Sequence, residues 1–211
     1  GADIQFFTEK EYEKVNDVMF EQRLALLKKK KNAYAFPGGG STTLGIWGYI
    51  NFINELKKQI DLTKIDSIVA ACGSGGTAAG MLVGAALNNL DVKIVAVHVL
   101  MTKKEMEKHI LQLAEGCVLD YKLNCNINPK NLIVVDGYSK EGYKKISQTK
   151  VKLIRKFAEE TGILFDPAYT GKAFTAYYEK YLKTGKDKKN IFVHTGGLFG
   201  VFGRTKEYLT N

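Results

Sequence analysis

The densest cluster of residues able to do chemistry is Cys72-Gly73-Ser74-Gly75-Gly76-Thr77-Ala78-Ala79-Gly80. It lies between an apolar run, Ile68-Val69-Ala70-Ala71, and a stretch of small residues with helical character. A helix start exposes N–H groups that have no intrahelical acceptor and carries a partial positive charge. Glycines let the backbone wrap an anion closely, and the hydroxyls of Ser74 and Thr77 add donors. The combination points to a phosphate site at Gly73, Ser74, Gly75, Gly76 and Thr77. A bare strand-to-helix turn is the alternative, but three glycines, a serine and a threonine together exceed what a turn needs.

Two familiar phosphate patterns fit less well. Gly73-x-Gly75-x-x-Ala78 matches the loose dinucleotide pattern, which expects an acidic residue about 20 positions on, at the end of the next strand. That strand ends Val97-His98-Val99-Leu100, and Asp91 lies before it. A dinucleotide oxidoreductase is therefore disfavoured. No Gly-Lys-Ser/Thr follows the loop, so it is not a Walker loop.

Three further segments sit where strands meet loops. They are Pro37-Gly38-Gly39-Gly40-Ser41-Thr42-Thr43-Leu44-Gly45, the run from Gly162 to Ala173 containing Asp166-Pro167-Ala168-Tyr169-Thr170-Gly171-Lys172, and His194-Thr195-Gly196-Gly197. In parallel α/β sheets ligands bind beyond the carboxyl ends of strands. Gly73 to Thr77 and Thr195 both belong there and could face one ligand. Each segment also has a plainer reading. Asp166 suits a turn or cap, Tyr169 a core aromatic with a backbone partner, His194 a packed histidine, and Lys172 a structural role. Gly196-Gly197 suits a tight turn into a final helix.

The elements that must position these residues follow from hydrophobic period. Short strands are expected at 4–7 and 33–36, with a helix over 9–31 whose Thr8 and Glu11 form a capping box. A helix over 44–59 comes next. Apolar strands at 68–71, 94–97, 132–135 and 191–193 then alternate with helices over 77–88, 102–115, 144–161 and 171–184. That alternation predicts an α/β fold, a parallel sheet with helices on both faces. The first 40 residues have little to pack on and read as a remnant of a smaller domain. Residues 41–211 read as a larger, incomplete domain.

Composition bounds the function. The chain has 211 residues, 45% of them apolar, with a net charge of +9. The excess is mostly dispersed lysine. Its one tight cluster, Lys28-Lys29-Lys30-Lys31, suits a helix C-terminus favoured by the macrodipole. Interleaved aromatics or arginines, which a nucleic-acid surface would want, are missing from it. No apolar run approaches the ~20 residues a membrane span needs. Cys72, Cys117 and Cys125 show no CxxC spacing, against a disulfide framework. No metal site is expected. With no signal-like start at Gly1-Ala2-Asp3-Ile4, the expected location is cytoplasmic.

Taken in order, the motifs resemble the D-cysteine desulfhydrase and 1-aminocyclopropane-1-carboxylate (ACC) deaminase branch of the tryptophan-synthase-β-like pyridoxal 5′-phosphate (PLP) enzymes. The matching residues are Gly39-Gly40-Ser41 with Leu44-Gly45 and Gly48-Tyr49, then Gly73 to Gly80, then Gly162-Ile163-Leu164 with Asp166 to Ala173, then His194-Thr195-Gly196-Gly197. The resemblance implies PLP as cofactor, its phosphate on Gly73 to Thr77 and its pyridine nitrogen at Thr195. It implies Tyr143 and Tyr169 as active-site tyrosines, and a substrate side formed by Gly39, Gly40, Ser41 and Thr170. Lys144 departs from the glycine that usually follows the first tyrosine. Members of the deaminase type carry glutamate where this chain has Thr170, and desulfhydrases carry threonine. The implied reaction is α,β-elimination of D-cysteine to pyruvate, ammonia and hydrogen sulfide. ACC deamination and a non-catalytic phosphate- or PLP-binding fragment are the alternatives.

The family's Schiff-base lysine lies in a Gly-Asn-Lys-like context upstream of all these motifs, and no Gly-Asn-Lys occurs here. The chain is therefore expected to be an N-terminally shortened portion, inactive alone. A homodimer, or association with the missing N-terminal portion, is expected to cover its exposed edge.

Overall fold

The computed structural model describes residues 1–99, 103–138, 140–142, 145–184 and 188–209. The chain divides into two compact units, Gly1–Gly40 and Ser41–Asn211.

In the first unit, α1 (Glu9–Tyr12) opens with the expected capping box. The Thr8 amide donates to Glu11 Oε2 at 2.8 Å and the Glu11 amide to Thr8 Oγ1 at 3.3 Å. The single helix expected over 9–31 is broken. Lys14 leaves helical geometry without capping by its side chain, and α2 runs from Val15 to Lys28. Lys30 adopts a left-handed φ of 56°. Lys31 N then reaches back to Leu26 O and Lys30 N to Leu27 O, the paired bonds of a Schellman stop. The lysine run thus surrounds the helix end. The strands expected at 4–7 and 33–36 do not form. A strand exists by pairing, and neither segment finds a ladder partner. A short 3₁₀ turn over Gly38–Gly40 ends the unit.

In the second unit, β1 (Ser67–Cys72), β2 (Lys93–His98), β3 (Leu132–Val135) and β4 (Asn190–Val193) form a sheet of order β3-β2-β1-β4. Every pair is parallel, with Ser67 opposite Lys93 and Asn190, and Ile94 opposite Leu132. This is the α/β architecture expected from the alternating pattern. Side chains alternate across the sheet. Ile68, Ala70, Ile94, Ala96, Leu132 and Val134 face a core shared with α3 (Trp47–Gln59), α4 (Gly76–Leu87) and α5 (Lys103–Asp120). Val69, Ala71, Val95, Val97 and Val135 face Ala173 and Ala176 of α7 (Thr170–Tyr177). Outside α7, α6 (Gln148–Thr161) stops at Gly162, whose φ is 74°. After β4 come two short helices, α8 (Leu198–Phe202) and α9 (Thr205–Leu209).

Boundaries moved where tertiary contacts outweigh period. Residues 44–46 form a turn ahead of α3, α5 continues to Asp120, and α6 begins at Gln148. The helix expected to reach 184 changes to a π turn at Tyr178–Leu182. Among the described residues no helix is long and apolar enough to cross a membrane.

Polar pairs tie the amino edge of the sheet. Ser67 Oγ donates to Asn190 Oδ1 at 2.6 Å, and Lys93 Nζ to Asn131 Oδ1 at 2.6 Å. The carboxyl edge is left to the loops. Its geometry depends on how closely α3 lies on α4. Gly76, Gly80 and Gly84, four residues apart, share one face of α4. A Cβ on Gly80 would lie 2.5 Å from Ile46 O, and one on Gly84 2.9 Å from Ile53 Cβ.

Gly80→Ala should therefore destabilise the chain by about 1–3 kcal/mol through overpacking, although alanine is favoured over glycine by about 1 kcal/mol in an open helix. Gly48→Ala on α3, where an added Cβ meets nothing within 4 Å, should be neutral or stabilising. Urea denaturation of both variants checks the contrast.

Candidate active site

The glycine-rich loop leaves β1 at the carboxyl edge and enters α4. Gly75 precedes the helix with φ 87° and ψ −18°, a backbone that glycine adopts without penalty. A side chain there would press on His109 and Ile110 of α5, each 3.2 Å from an added Cβ. The first bond of the helical ladder is Ala79 N to Gly75 O, at 2.9 Å. The amides of Gly76, Thr77 and Ala78 precede it. Ser41 Oγ accepts the Gly76 amide at 3.1 Å and lies 2.7 Å from Ser74 Oγ. Ser74, Gly76 and Thr77 are half-buried, and Gly73 and Gly75 are buried. Burial pushes the Cys72 thiol up to about 12, and its sulfur contacts Met106 Sδ at 3.4 Å. Cys72 is therefore a packed thiol, not a nucleophile.

A second constellation is organised by Asp166, which is buried. Its Oδ1 accepts the amides of Ala168 at 3.0 Å and Tyr169 at 2.7 Å. Its Oδ2 accepts the Thr170 amide at 2.7 Å and the Thr170 hydroxyl at 2.6 Å. Asp166 thus organises the turn that leads into α7: its carboxylate takes the amides of Ala168, Tyr169 and Thr170, and its carbonyl that of Gly171 at 2.8 Å, within the turn or cap role that its sequence context suggested. Two glycines make this possible. A Cβ on Gly171 would lie 2.6 Å from Asp166 O, and one on Gly197 2.7 Å from Asp166 Oδ2. Gly197 also has φ 100°. The segment after β4 thus packs closely against the start of α7, with the Thr170 hydroxyl 3.4 Å from Gly196 O.

Tyr169 and Thr195 arrive at the same edge by these means. The Tyr169 hydroxyl donates to Ala71 O at 3.0 Å, two residues before Gly73. Thr195, half-buried, follows by two residues the Val193 that pairs with Ala70. Both belong to the carboxyl edge, where β4 pairs in parallel with β1. Thr170 is fully buried, and its hydroxyl serves Asp166. Ser41, which the resemblance assigns to the substrate side, has its hydroxyl on the α4 N-terminus. Gly39 and Gly40 belong to the first unit, with φ of 71° and 62°. Tyr143 lies outside the described residues. Lys172 is fully buried, and its ammonium donates to Gly142 O. Burial lowers its pKa, with neighbouring charges contributing less. His194 packs on Phe165 and bonds Leu164 O at 2.9 Å.

His98 drew no functional attention in the sequence. It ends β2 opposite Cys72, is 5% exposed, and has neither ring nitrogen hydrogen-bonded among the described residues. Burial lowers its pKa, partly opposed by the Asp136 carboxylate. The signal was available in Val97-His98, a histidine one strand over from the glycine loop.

The glycine-rich loop after β1, the Tyr169 hydroxyl on Ala71 O and the Thr195 segment after β4 belong to one edge of a parallel α/β sheet. The cradle fits a phosphate. It offers leading helix amides, the glycine conformation at Gly75, and the hydroxyls of Ser41, Ser74 and Thr77. The chain belongs to the pyridoxal-phosphate dependent enzyme family, whose model matches residues 1–196. Its cofactor is accordingly PLP. It is 34% identical over 206 residues to a Thermotoga maritima protein provisionally named 1-aminocyclopropane-1-carboxylate deaminase, covering 98% of this chain and 65% of that protein. It is 31% identical over 216 residues to the Arabidopsis thaliana mitochondrial bifunctional D-cysteine desulfhydrase/1-aminocyclopropane-1-carboxylate deaminase, covering 98% of this chain and 52% of that protein. A crystal structure of an ACC deaminase homologue superposes with a TM-score of 0.80 at 30% identity, over 98% of this chain and 61% of that one. The chain thus spans between half and two thirds of the length of these relatives.

Thr170→Val should cost about 1–3 kcal/mol in chemical denaturation, because it removes a hydroxyl donor from a buried carboxylate without changing side-chain shape. His98 yields a pH prediction. Its folded-state pKa is lowered, so below its ordinary value near 6.5 the unfolded chain takes up a proton that the folded chain resists. Stability therefore falls as pH drops through that window. In His98→Leu this part of the fall should be absent, leaving a flatter curve between pH 7 and 5.

Proposed function

We propose that the chain is the phosphate-holding portion of a PLP-dependent lyase that converts D-cysteine to pyruvate, ammonia and hydrogen sulfide. The observation that carries this is the convergence of the Gly73–Thr77 cradle, Tyr169 and Thr195 on one sheet edge. Bound PLP supplies an electron sink for charge developing at the substrate α-carbon. The chain's own residues bind and orient. The amides and hydroxyls of Gly73, Ser74, Gly75, Gly76 and Thr77 hold the phosphate against the positive end of α4. Thr195 presents a neutral hydroxyl to the pyridine nitrogen, which moderates the sink by comparison with a carboxylate. Tyr169 would hold a proton at its phenolic oxygen for the reaction, its ring fixed by the bond to Ala71 O. Tyr143 is its partner in this reading.

Thr170 acts on substrate choice indirectly. Being buried, it sets the position of Tyr169 through Asp166 instead of touching substrate. The alternative substrate, 1-aminocyclopropane-1-carboxylate, is favoured by the names of the relatives, one of which carries both activities. The lysine that would carry the cofactor is assigned to a segment other than these 211 residues, and covering of the sheet edge to that segment or to a second copy.

The test is a longer protein in which this chain is preceded by the family's lysine segment. It should release sulfide and pyruvate from D-cysteine, whereas the 211-residue chain alone should release neither. A four-carbon 2-oxo acid from the cyclopropane substrate, with no sulfide from D-cysteine, would overturn the desulfhydrase reading in favour of the deaminase.

A further inference from the structure

Ser41 sits in an unusual place for a residue 35 positions away from the helix it serves. Its Oγ accepts the Gly76 amide at 3.1 Å, the first residue of α4, and touches Ser74 Oγ at 2.7 Å. A Cβ built on Gly76 would lie 2.6 Å from that same Oγ, 3.3 Å from Ser41 Cβ and 3.5 Å from Ser41 Cα. The Ser41 hydroxyl therefore occupies the space a side chain at position 76 would fill. It supplies from a distant segment the hydroxyl that Gly76 lacks.

We propose that Ser41 is a phosphate-site residue: its hydroxyl completes the cofactor-phosphate cradle at the start of α4. The inference rests on the cradle reading of Gly73 to Thr77 and moves Ser41 from the substrate side to the cofactor. A hydroxyl has one proton and two acceptor lone pairs. Ser41 and Ser74 together have two protons, of which one is spent between them. The other is left to donate to an anion. By accepting the Gly76 amide, Ser41 fixes its own oxygen, so the pair is oriented before a phosphate arrives. Both groups are neutral, so they satisfy each other without phosphate, and the pair keeps one O–H to donate when it binds.

The test measures affinity for pyridoxine 5′-phosphate and for pyridoxine by titration calorimetry on the full chain. Neither ligand has the aldehyde that would form adducts with surface lysines. The ratio of the two affinities isolates the phosphate contribution. Ser41→Gly should reduce that ratio by about tenfold or more, the loss expected for one hydrogen bond to a charged group. Ser41→Ala, which keeps the local backbone stiffer, should show the same loss. The double variant S41G/G76S returns a hydroxyl to the same space. With the Ser41 side chain removed, the nearest of its atoms to the new Cβ is Cα at 3.5 Å, an ordinary contact. It should recover most of the ratio. An unchanged ratio in both single variants would overturn the assignment, as would a higher one, which would make Ser41 a competitor of the phosphate. An unaltered chain that binds both ligands equally would overturn the cradle itself, a different failure.

Discussion

Of the helices that begin at the carboxyl edge of this sheet, α4 and α7 frame the candidate site, and each begins with amides that no helical carbonyl can accept. How those amides are satisfied determines what the edge can do. At α7 the solution is internal. The buried carboxylate of Asp166 takes the amides of Ala168, Tyr169 and Thr170 and the Thr170 hydroxyl. At α4 the protein supplies only hydroxyls and backbone, with Ser41 accepting the Gly76 amide. A negative charge placed at α4 as at α7 would repel a phosphate. The division of labour between the two termini, a carboxylate for one and neutral groups for the other, makes one a structural joint and suits the other to the anion proposed for it.

Close approach is the second condition, and glycine provides it on both sides. Gly76, Gly80 and Gly84 bring Ser41, Ile46 and Ile53 within distances that any Cβ on α4 would forbid. Gly171 and Gly197 do the same around Asp166. The first set seats the Ser41 segment on the cradle. The second brings the loop after β4, and with it Thr195, to the start of α7. Tyr169 follows from the same joint, because its amide is held by Asp166 while its hydroxyl reaches Ala71 O.

Much of this was legible from sequence because it is local. The four strands of the second unit follow from short apolar runs, and the tight turn from β1 into α4 from glycine, serine and threonine at a strand-to-helix junction. Asp166 reads as a cap because aspartate before a helix accepts amides. The strands expected at 4–7 and 33–36 failed because strand propensity is a statement about pairing, and the sequence does not say whether a partner exists. The break at Lys14 is invisible for a similar reason, since the residues on either side are acceptable helix formers. Ser41 and His98 were missed as cradle neighbours because their relation to Cys72 and Gly76 is set by register and by helix contact. His98 meets Cys72 only because β2 pairs in parallel with β1.

A cradle of neutral groups also has a consequence for folding. Had the site used a buried arginine or lysine to hold phosphate, the chain without cofactor would have to desolvate a charge with nothing to offset it. Hydroxyls and amides avoid that cost. Ser41 satisfies Gly76 and pairs with Ser74, so the loop can hold its shape with or without an anion. On the proposed reading the attraction for phosphate would come from the α4 dipole and oriented donors, which exist as soon as the helix forms. Recognition of the anion, on the proposed reading, would be a by-product of correct packing of α3 on α4. The glycines that permit that packing contribute as much to the site as the residues that would touch the phosphate.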